Sequence, residues 1–401
     1  MNKIDYVVTS TTKYIEQMTK AQRKKYGQFF TSKETAVFMA ELFDLQSASG
    51  TVSILDPGAG SGILSTALIE RMLDVAAITK IKLVCYESDT NILELLRSNM
   101  DWVCAHASKP IEYEIVADNY ILSQMADYNH MLWESPNPPK YDYVIGNPPY
   151  MKIPKDAPEA LAMPDVCYGA PNLYFIFASM SLFNLKSDGE MVYIIPRSWT
   201  SGAYFKKFRQ KFLDEGALEH IHLFVSRDKV FEKESVLQET IIIKVKKAKN
   251  KPQNVTITTT QSNADFSQKT VFHAPYDTVV NGKDQYVYLV TNAKEVETLE
   301  RLNRLPNTLP SIGLKMKTGL TVDFRNREAL RDHAEATAVP LFYSQHIKNG
   351  KVEFPIGKEH EYLVTEQNGL LQKNSNYLFV KRFTAKEEHR RLQCGIYLAR
   401  R

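Results

Sequence analysis

The chain has 401 residues, a formal net charge of +4 and an isoelectric point near 8.6. A hydrophobic fraction of 44% excludes global disorder, and the length provides for two or three domains. The mild basic excess is compatible with nucleic acid without demanding it. Four cysteines, Cys85, Cys104, Cys167 and Cys394, form no Cys-x-x-Cys pair, so neither a zinc site nor a disulfide framework is expected and no metal is assigned. No apolar signal segment opens the sequence, and no apolar run of membrane-spanning length occurs in it. A reduced, cytoplasmic setting is the expectation.

Residues 1–25 read as a polar arm ending in the basic run Lys20-Ala21-Gln22-Arg23-Lys24-Lys25. Tyr26-Gly27-Gln28-Phe29-Phe30-Thr31-Ser32-Lys33-Glu34 follows. Thr31 with Glu34 three positions later is a capping-box pattern. It predicts a helix over roughly 33–44, with Val37, Ala40 and Phe43 on one face. Phe29 and Phe30 either pack inward or wall a ligand.

Val52-Ser53-Ile54-Leu55 is a short apolar run that enters Asp56-Pro57-Gly58-Ala59-Gly60-Ser61-Gly62 and then an apolar helix from Ile63 to about Leu73. Strand, glycine turn and helix open a doubly wound α/β domain. The Gly-x-Gly-x-Gly spacing differs from the Gly-x-Gly-x-x-Gly of dinucleotide sites. Apolar runs at Ile81–Tyr86 and Ile111–Ala117 end at Glu87 and Asp118. An acidic residue at the tip of the second strand is placed to accept hydrogen bonds from ribose hydroxyls.

The next run, Tyr141-Asp142-Tyr143-Val144-Ile145, stops at Gly146-Asn147-Pro148-Pro149-Tyr150. Two prolines cannot continue a ladder, because neither has an N–H to donate. The strand end is left with an amide, two fixed carbonyls and an aromatic ring. Asp56, Glu87, Asp118 and Asn147 follow one another at intervals of 31, 31 and 29 residues, each about one strand–helix–strand unit. Any one of them is a weak signal. Their common register places four polar groups where open α/β sheets bind ligands.

Residues 151–171 carry four prolines and little periodicity, which marks a lid candidate. Asn172–Leu185 reads as an apolar helix with Tyr174, Phe175 and Phe177. Glu190–Pro196 reads as a strand, and Thr200–Glu215 as a helix carrying Lys206, Lys207, Arg209 and Lys211, of which Lys206, Lys207 and Arg209 are available for weak phosphate contacts. Leu218–Val225 and Val236–Val245 complete a mostly parallel sheet of seven strands. The composition shift at Lys244–Lys251 predicts a boundary near residue 247. Beyond it short strands, one helix near Ala293–Asn303 and loops predict a smaller, mixed α+β domain over 248–401.

Together these residues resemble the adenine-specific (N6) DNA methyltransferases of bacterial restriction–modification systems, in the group whose cofactor loop precedes the glycine turn. The match is strong over about residues 24–245. The resemblance implies a seven-stranded catalytic domain over 26–247 that uses S-adenosylmethionine. It implies that Gly27–Thr31, with Phe30 and Thr31 in contact, is the N-terminal cofactor loop. Asp56, Gly58, Gly60 and Gly62 form the cofactor turn, and Glu87 binds ribose. Asp118 and Asn119 meet the cofactor's adenine, which Phe177 flanks. Asn147, Pro148, Pro149 and Tyr150 form the catalytic motif, and Phe231 stacks on the extrahelical adenine opposite Tyr150. Without the resemblance, Phe231 reads equally well as an anchor of its loop. Pro340–Glu353 and Phe379–Phe383 resemble parts of a target-recognition region, and 248–401 is expected to be a truncated version of it. The implied partners are duplex DNA with a flipped adenine and a separate cognate restriction endonuclease, with the chain a monomer.

The chemistry agrees. Adenine's amino nitrogen is a poor nucleophile because its lone pair is delocalised into the ring. The Asn147 oxygen and the Pro148 carbonyl can accept its two N–H bonds and free that lone pair. Tyr150 offers a face to a base taken out of the duplex. The alternatives are a protein-glutamine or RNA adenine methyltransferase, and a catalytically idle cofactor-binding module that recognises DNA for a partner.

Overall fold

The computed structural model describes residues 2–17, 30–130, 140–169, 171–224, 240–384 and 388–399. Two compact units divide it, Met1–Arg304 and Leu305–Arg401. The first carries the nine-stranded sheet. Its strands are β1 (Gly50–Pro57), β2 (Ile78–Tyr86), β3 (Ile111–Val116), β4 (Tyr141–Gly146), β5 (Leu185–Pro196), β6 (Ala217–Phe224), β7 (Thr240–Lys246), β8 (Asn254–Thr260) and β9 (Thr270–Pro275). Their order is β3-β2-β1-β4-β5-β7-β6-β8-β9. Strands β1 to β5 pair in parallel, and so do β6 and β8. β7 lies antiparallel between β5 and β6, and β9 antiparallel on β8. This is the expected doubly wound, mostly parallel α/β sheet with two strands added at one edge.

The helices that cover the sheet are α1 (Lys3–Gln17), α2 (Lys33–Glu41), α3 (Ile63–Leu73), α4 (Leu93–Ala105), α5 (Leu173–Asn184) and α6 (Lys206–Glu215). Alternation along the strands feeds two cores. Ile54, Tyr143, Ile145, Val192 and Ile194 pack on the side of α2, α3 and α4. Leu55, Val144, Met191, Tyr193 and Ile195 pack on the side of α5 and α6. α5 is apolar almost all round and is buried almost throughout, as a helix wedged into a core must be.

Several expectations need correction. The arm is not merely polar, since α1 buries Ile4, Val7 and Thr11. The Lys3 and Ile4 amides donate to Glu70 in α3. Tyr6 stacks on Trp102 of α4 at 4.0 Å. Burying Ile4 and Val7 contributes roughly 1.5–3 kcal/mol each, which a short polar helix lacks in isolation. The composition shift at 244–251 is a turn into β8, not a boundary; the sheet has nine strands and the first unit continues through α7 (Ala293–Asn303) to Arg304. The helix expected from Thr200 begins at Lys206. Arg209 takes the carbonyls of Trp199 and Gly202 that an earlier start would use, leaving two 3₁₀ turns there.

The second unit builds two small sheets, of three and four strands. Phe342 is ringed by Phe354, Phe379 and Tyr397, with centroids 5.2–5.3 Å away. Among its described residues there are 3₁₀ turns and no α-helix; the helix expected near Ala293–Asn303 is present and belongs to the first unit. Among the described residues no helix is long and apolar enough to cross a membrane.

Candidate functional site

Strand order reverses between β1 and β4, so the crevice outside their carboxyl ends is the ligand position of such a sheet. The glycine turn and the Asn-Pro-Pro-Tyr segment both emerge there. In the turn Gly58, Gly60 and Gly62 have φ of +77°, +56° and +81°, a conformation that residues with a Cβ rarely adopt. The Gly58 and Ala59 amides donate to the Tyr86 carbonyl at 2.8 and 2.9 Å, which seats the turn on the end of β2.

Asp56 is fully buried beneath the turn. One carboxylate oxygen, Oδ2, accepts from the Ser65 hydroxyl at 2.5 Å, while Oδ1 has no partner among the described residues. Burial pushes the carboxyl up to about 7, against the pull of the Ser65 hydrogen bonds and with a small further rise from the Glu87 charge. Glu87 extends the ladder by one residue, its amide donating to Val116 O at 3.1 Å. Its Oε2 accepts from the Gly60 amide and its Oε1 from the Asp89 amide, both at 2.8 Å. Burial raises this carboxyl too, opposed by those two amides. Phe177 of α5 lies 3.8 Å from where a Gly58 Cβ would stand and 5.3 Å from the Tyr120 ring. The turn therefore has an aromatic wall.

Asp118 is exposed at the tip of β3, with Oδ1 turned back to the Asn119 amide at 2.6 Å. Asn119 caps the one-turn helix Tyr120–Ser123, and its Nδ2 donates to Glu159 Oε1 at 2.8 Å. That contact, with Asn129 Nδ2 to Ala162 O at 2.9 Å and Tyr128 to Asp165 at 2.7 Å, ties down the lid candidate. Ala160, Ala162, Met163 and Val166 are buried in the same segment. It is a packed wall rather than a loose flap.

The residues after β4 meet the N-terminal segment. Asn147 Nδ2 donates to Thr31 Oγ1 at 3.1 Å, and the Tyr150 hydroxyl lies 2.7 Å from Asn147 Oδ1 and 2.9 Å from the Ile194 carbonyl. Burial, with Tyr174 nearby, pushes the Tyr150 hydroxyl far up, so it stays protonated. Pro148 is buried, Pro149 and Phe30 half-buried. The cap of α2 is Ser32, not Thr31, with Ser32 Oγ accepting from the Thr35 amide at 3.2 Å. That one-residue shift leaves the Thr31 hydroxyl to Asn147. Gly27–Phe29 and Phe231 lie outside the described residues.

The cations expected on α6 for phosphate are largely committed to protein. Arg209 is fully buried, donating to Trp199 O, Gly202 O and Asp284 O. Lys206 pairs with Asp284 at 2.7 Å, and Lys211 with Asp165 at 2.5 Å. Lys207, which donates to Pro164 O, remains exposed.

Residues 73–231 match the family model of the Eco57I restriction-modification methylases. The Type II methyltransferase M.PstI of Providencia stuartii is 35% identical over 94% of this chain and 74% of its own length. M.BsuBI of Bacillus subtilis is 32% identical over 93% of this chain and 74% of its own. The chain belongs to the Type II DNA methyltransferases of restriction–modification systems. S-adenosylmethionine is the cofactor of this methyltransferase and DNA its substrate class. A solved class I S-adenosylmethionine-dependent methyltransferase from Listeria monocytogenes shares the fold, with a TM-score of 0.50, 17% identity, and coverage of 66% of this chain and 74% of that one.

The buried Asp56 gives this methyltransferase a pH signature. A carboxyl near 7 in the folded chain and near 3.8 when unfolded holds its proton only in the fold over that window. Its contribution is fully present below the unfolded value and lost as pH rises through about 7. Asp56→Asn cannot lose it. In thermal melts without cofactor, the melting temperature of the variant relative to wild type is expected to rise from pH 4 to pH 8, by the equivalent of roughly 2–4 kcal/mol. A constant difference would mean that Asp56 is ionised throughout.

Proposed function

We propose that this methyltransferase transfers the methyl group of S-adenosylmethionine to the exocyclic amino nitrogen of adenine within a specific DNA sequence, protecting that DNA from a separate cognate restriction endonuclease. The observation that carries the reading is the Asn147-Pro148-Pro149-Tyr150 segment at the carboxyl end of β4, beside the glycine turn at the strand-order reversal. An amino nitrogen needs hydrogen-bond acceptors, and this segment supplies the Asn147 amide and the Pro148 carbonyl on a backbone that the prolines stiffen.

The residues around the turn fit the cofactor. The turn has the backbone freedom for close approach, a buried acceptor in Asp56 Oδ1 without a partner among the described residues, and an aromatic wall in Phe177. In this reading Asp56, Gly58, Gly60 and Gly62 hold the cofactor, and Glu87 accepts its ribose hydroxyls with the lone pairs its amide partners leave. Asp118, Asn119 and Phe177 surround its adenine, with Phe30 and Thr31 on the N-terminal side. When bound, S-adenosylmethionine supplies an electrophilic methyl on sulfonium. Asn147 Oδ1 and the Pro148 carbonyl accept the amino hydrogens, draw the nitrogen toward a tetrahedral shape and aim its lone pair. Tyr150 stacks on the extruded base, offsetting roughly 1–3 kcal/mol of the cost of unstacking.

The test is product analysis. The protein is incubated with S-adenosylmethionine labelled in the methyl group and with unmethylated bacteriophage DNA, total RNA or protein. N6-methyladenine from the DNA is the expected labelled product. Label confined to methylcytosine, RNA or protein would overturn the assignment.

A further inference from the structure

We propose that Thr31 is a positioning residue that anchors the Asn147 side chain against the start of α2, rather than only a wall of the cofactor site. The inference rests on the reading of Asn147 as the acceptor of the target amino group. An amide has one accepting end and one donating end. Turned by half a rotation, Asn147 would present N–H to the N–H of its target, and attraction would become repulsion. The position of this side chain therefore matters, and a hydrogen bond to a fixed group restrains it.

Among the described residues, Thr31 restrains it. Its Oγ1 accepts from Asn147 Nδ2 at 3.1 Å, which directs Oδ1 to the other side of the amide. There Oδ1 meets the Tyr150 hydroxyl at 2.7 Å. The phenol has one proton, and among the described residues it faces two acceptors, Asn147 Oδ1 and the Ile194 carbonyl at 2.9 Å. When a target amino group takes Oδ1, the phenol proton turns to Ile194 O and keeps a hydrogen bond. The acceptor is thus satisfied while no base is present and is released at little cost when one arrives.

Thr31 is itself held from outside the crevice. The next residue, Ser32, caps α2 and also donates to Asn263 O at 3.4 Å, in the connection between β8 and β9. Phe38 of α2 stacks on Phe266 of the same connection at 4.4 Å. The two strands added to the sheet edge therefore supply the footing for the helix whose start places Thr31. A hydroxyl on a fixed helix start can orient a side chain; one on a free arm cannot.

The experiment compares Thr31→Val, which keeps the shape and removes the hydroxyl, with Thr31→Ser, which keeps the hydroxyl. Single-turnover methylation of unmethylated bacteriophage DNA at saturating S-adenosylmethionine is expected to slow about 10–100-fold in Thr31→Val and to return to within about threefold in Thr31→Ser. Calorimetry is expected to find the cofactor affinity of Thr31→Val within about twofold of wild type. Hydrogen exchange at the Asn147 side-chain amide, followed by nitrogen-15 NMR without cofactor, is expected to quicken in Thr31→Val. An unslowed Thr31→Val overturns the inference, and so does a loss that appears only as weaker cofactor binding. Asn147→Ala measured alongside separates the two levels. If it is inactive while Thr31→Val is normal, only the role of Thr31 falls; if it turns over normally, the reading of Asn147 falls and takes this inference with it.

Discussion

Asn147→Ala is expected to reduce methyl transfer by on the order of 10³-fold while leaving S-adenosylmethionine affinity within about twofold. Preorganised dipoles aimed at the atom that changes charge are usually the largest single contribution to catalysis, and the methyl side chain keeps none. The cofactor contacts proposed at the glycine turn, Glu87, Asp118 and Phe177 do not pass through the Asn147 side chain, and Thr31, which does bond it, keeps its place at the start of α2. Asn147 also bonds Thr31 and Tyr150, so a modest loss of stability, about 1–2 kcal/mol, accompanies the change. Circular dichroism melts separate that loss from the catalytic one, because a protein with a few degrees less stability is still fully folded at assay temperature. Asn147→Asp keeps an oxygen acceptor, and Thr31 can donate to it, so it is expected to retain more activity than the alanine variant. Near-normal turnover in a folded Asn147→Ala protein would remove the mechanism.

The parts of this chain that were legible in its sequence are those written locally. An apolar run followed by a polar residue reports a strand tip whatever lies beside it, and Asp56, Glu87 and Asn147 stand at or next to the strand ends where that pattern put them. The positive-φ glycines sit between strand and helix and announce themselves by type. What could not be read depends on partners far along the chain. Arg209 has the spacing and charge of a solvated helix face, yet its acceptors are carbonyls of Trp199, Gly202 and Asp284. The burial of α1 depends on surfaces of α3 and α4 tens of residues away. The cap of α2 was misplaced by one residue because Thr31 and Ser32 are equally good caps in isolation. The choice is set by Asn147, 116 positions later, and that single step turns a capping hydroxyl into part of the site.

Gly146→Ala is expected to be among the most destabilising single changes in the sheet, although alanine suits strands better than glycine does. Gly146 closes β4 and pairs directly with Tyr193 of β5. An ideal Cβ at Gly146 would stand 2.0 Å from Tyr193 Cε1, with Cδ1 at 2.8 Å and Cζ at 3.0 Å. The ring cannot retreat. Tyr193 is fully buried, and its hydroxyl is fixed by Ser181 Oγ at 2.6 Å. Moving it would break that bond inside the core and open space elsewhere, whereas moving β4 would displace Asn147 from the strand end. Overpacking of this kind costs roughly 1–3 kcal/mol and occasionally more, and the rigid ring puts this position at the upper end. For a unit of this size that lowers the melting temperature by about 3–5 °C. Trimming the obstacle should restore part of the loss. In Gly146→Ala with Tyr193→Val the new methyl enters the volume the ring vacates, so the double variant should be more stable than additivity of the two single changes allows. Calorimetric melts of the four proteins decide it. Strict additivity would show that β4 shifts rather than the ring, and in that case methyl transfer should fall in Gly146→Ala even well below its melting temperature.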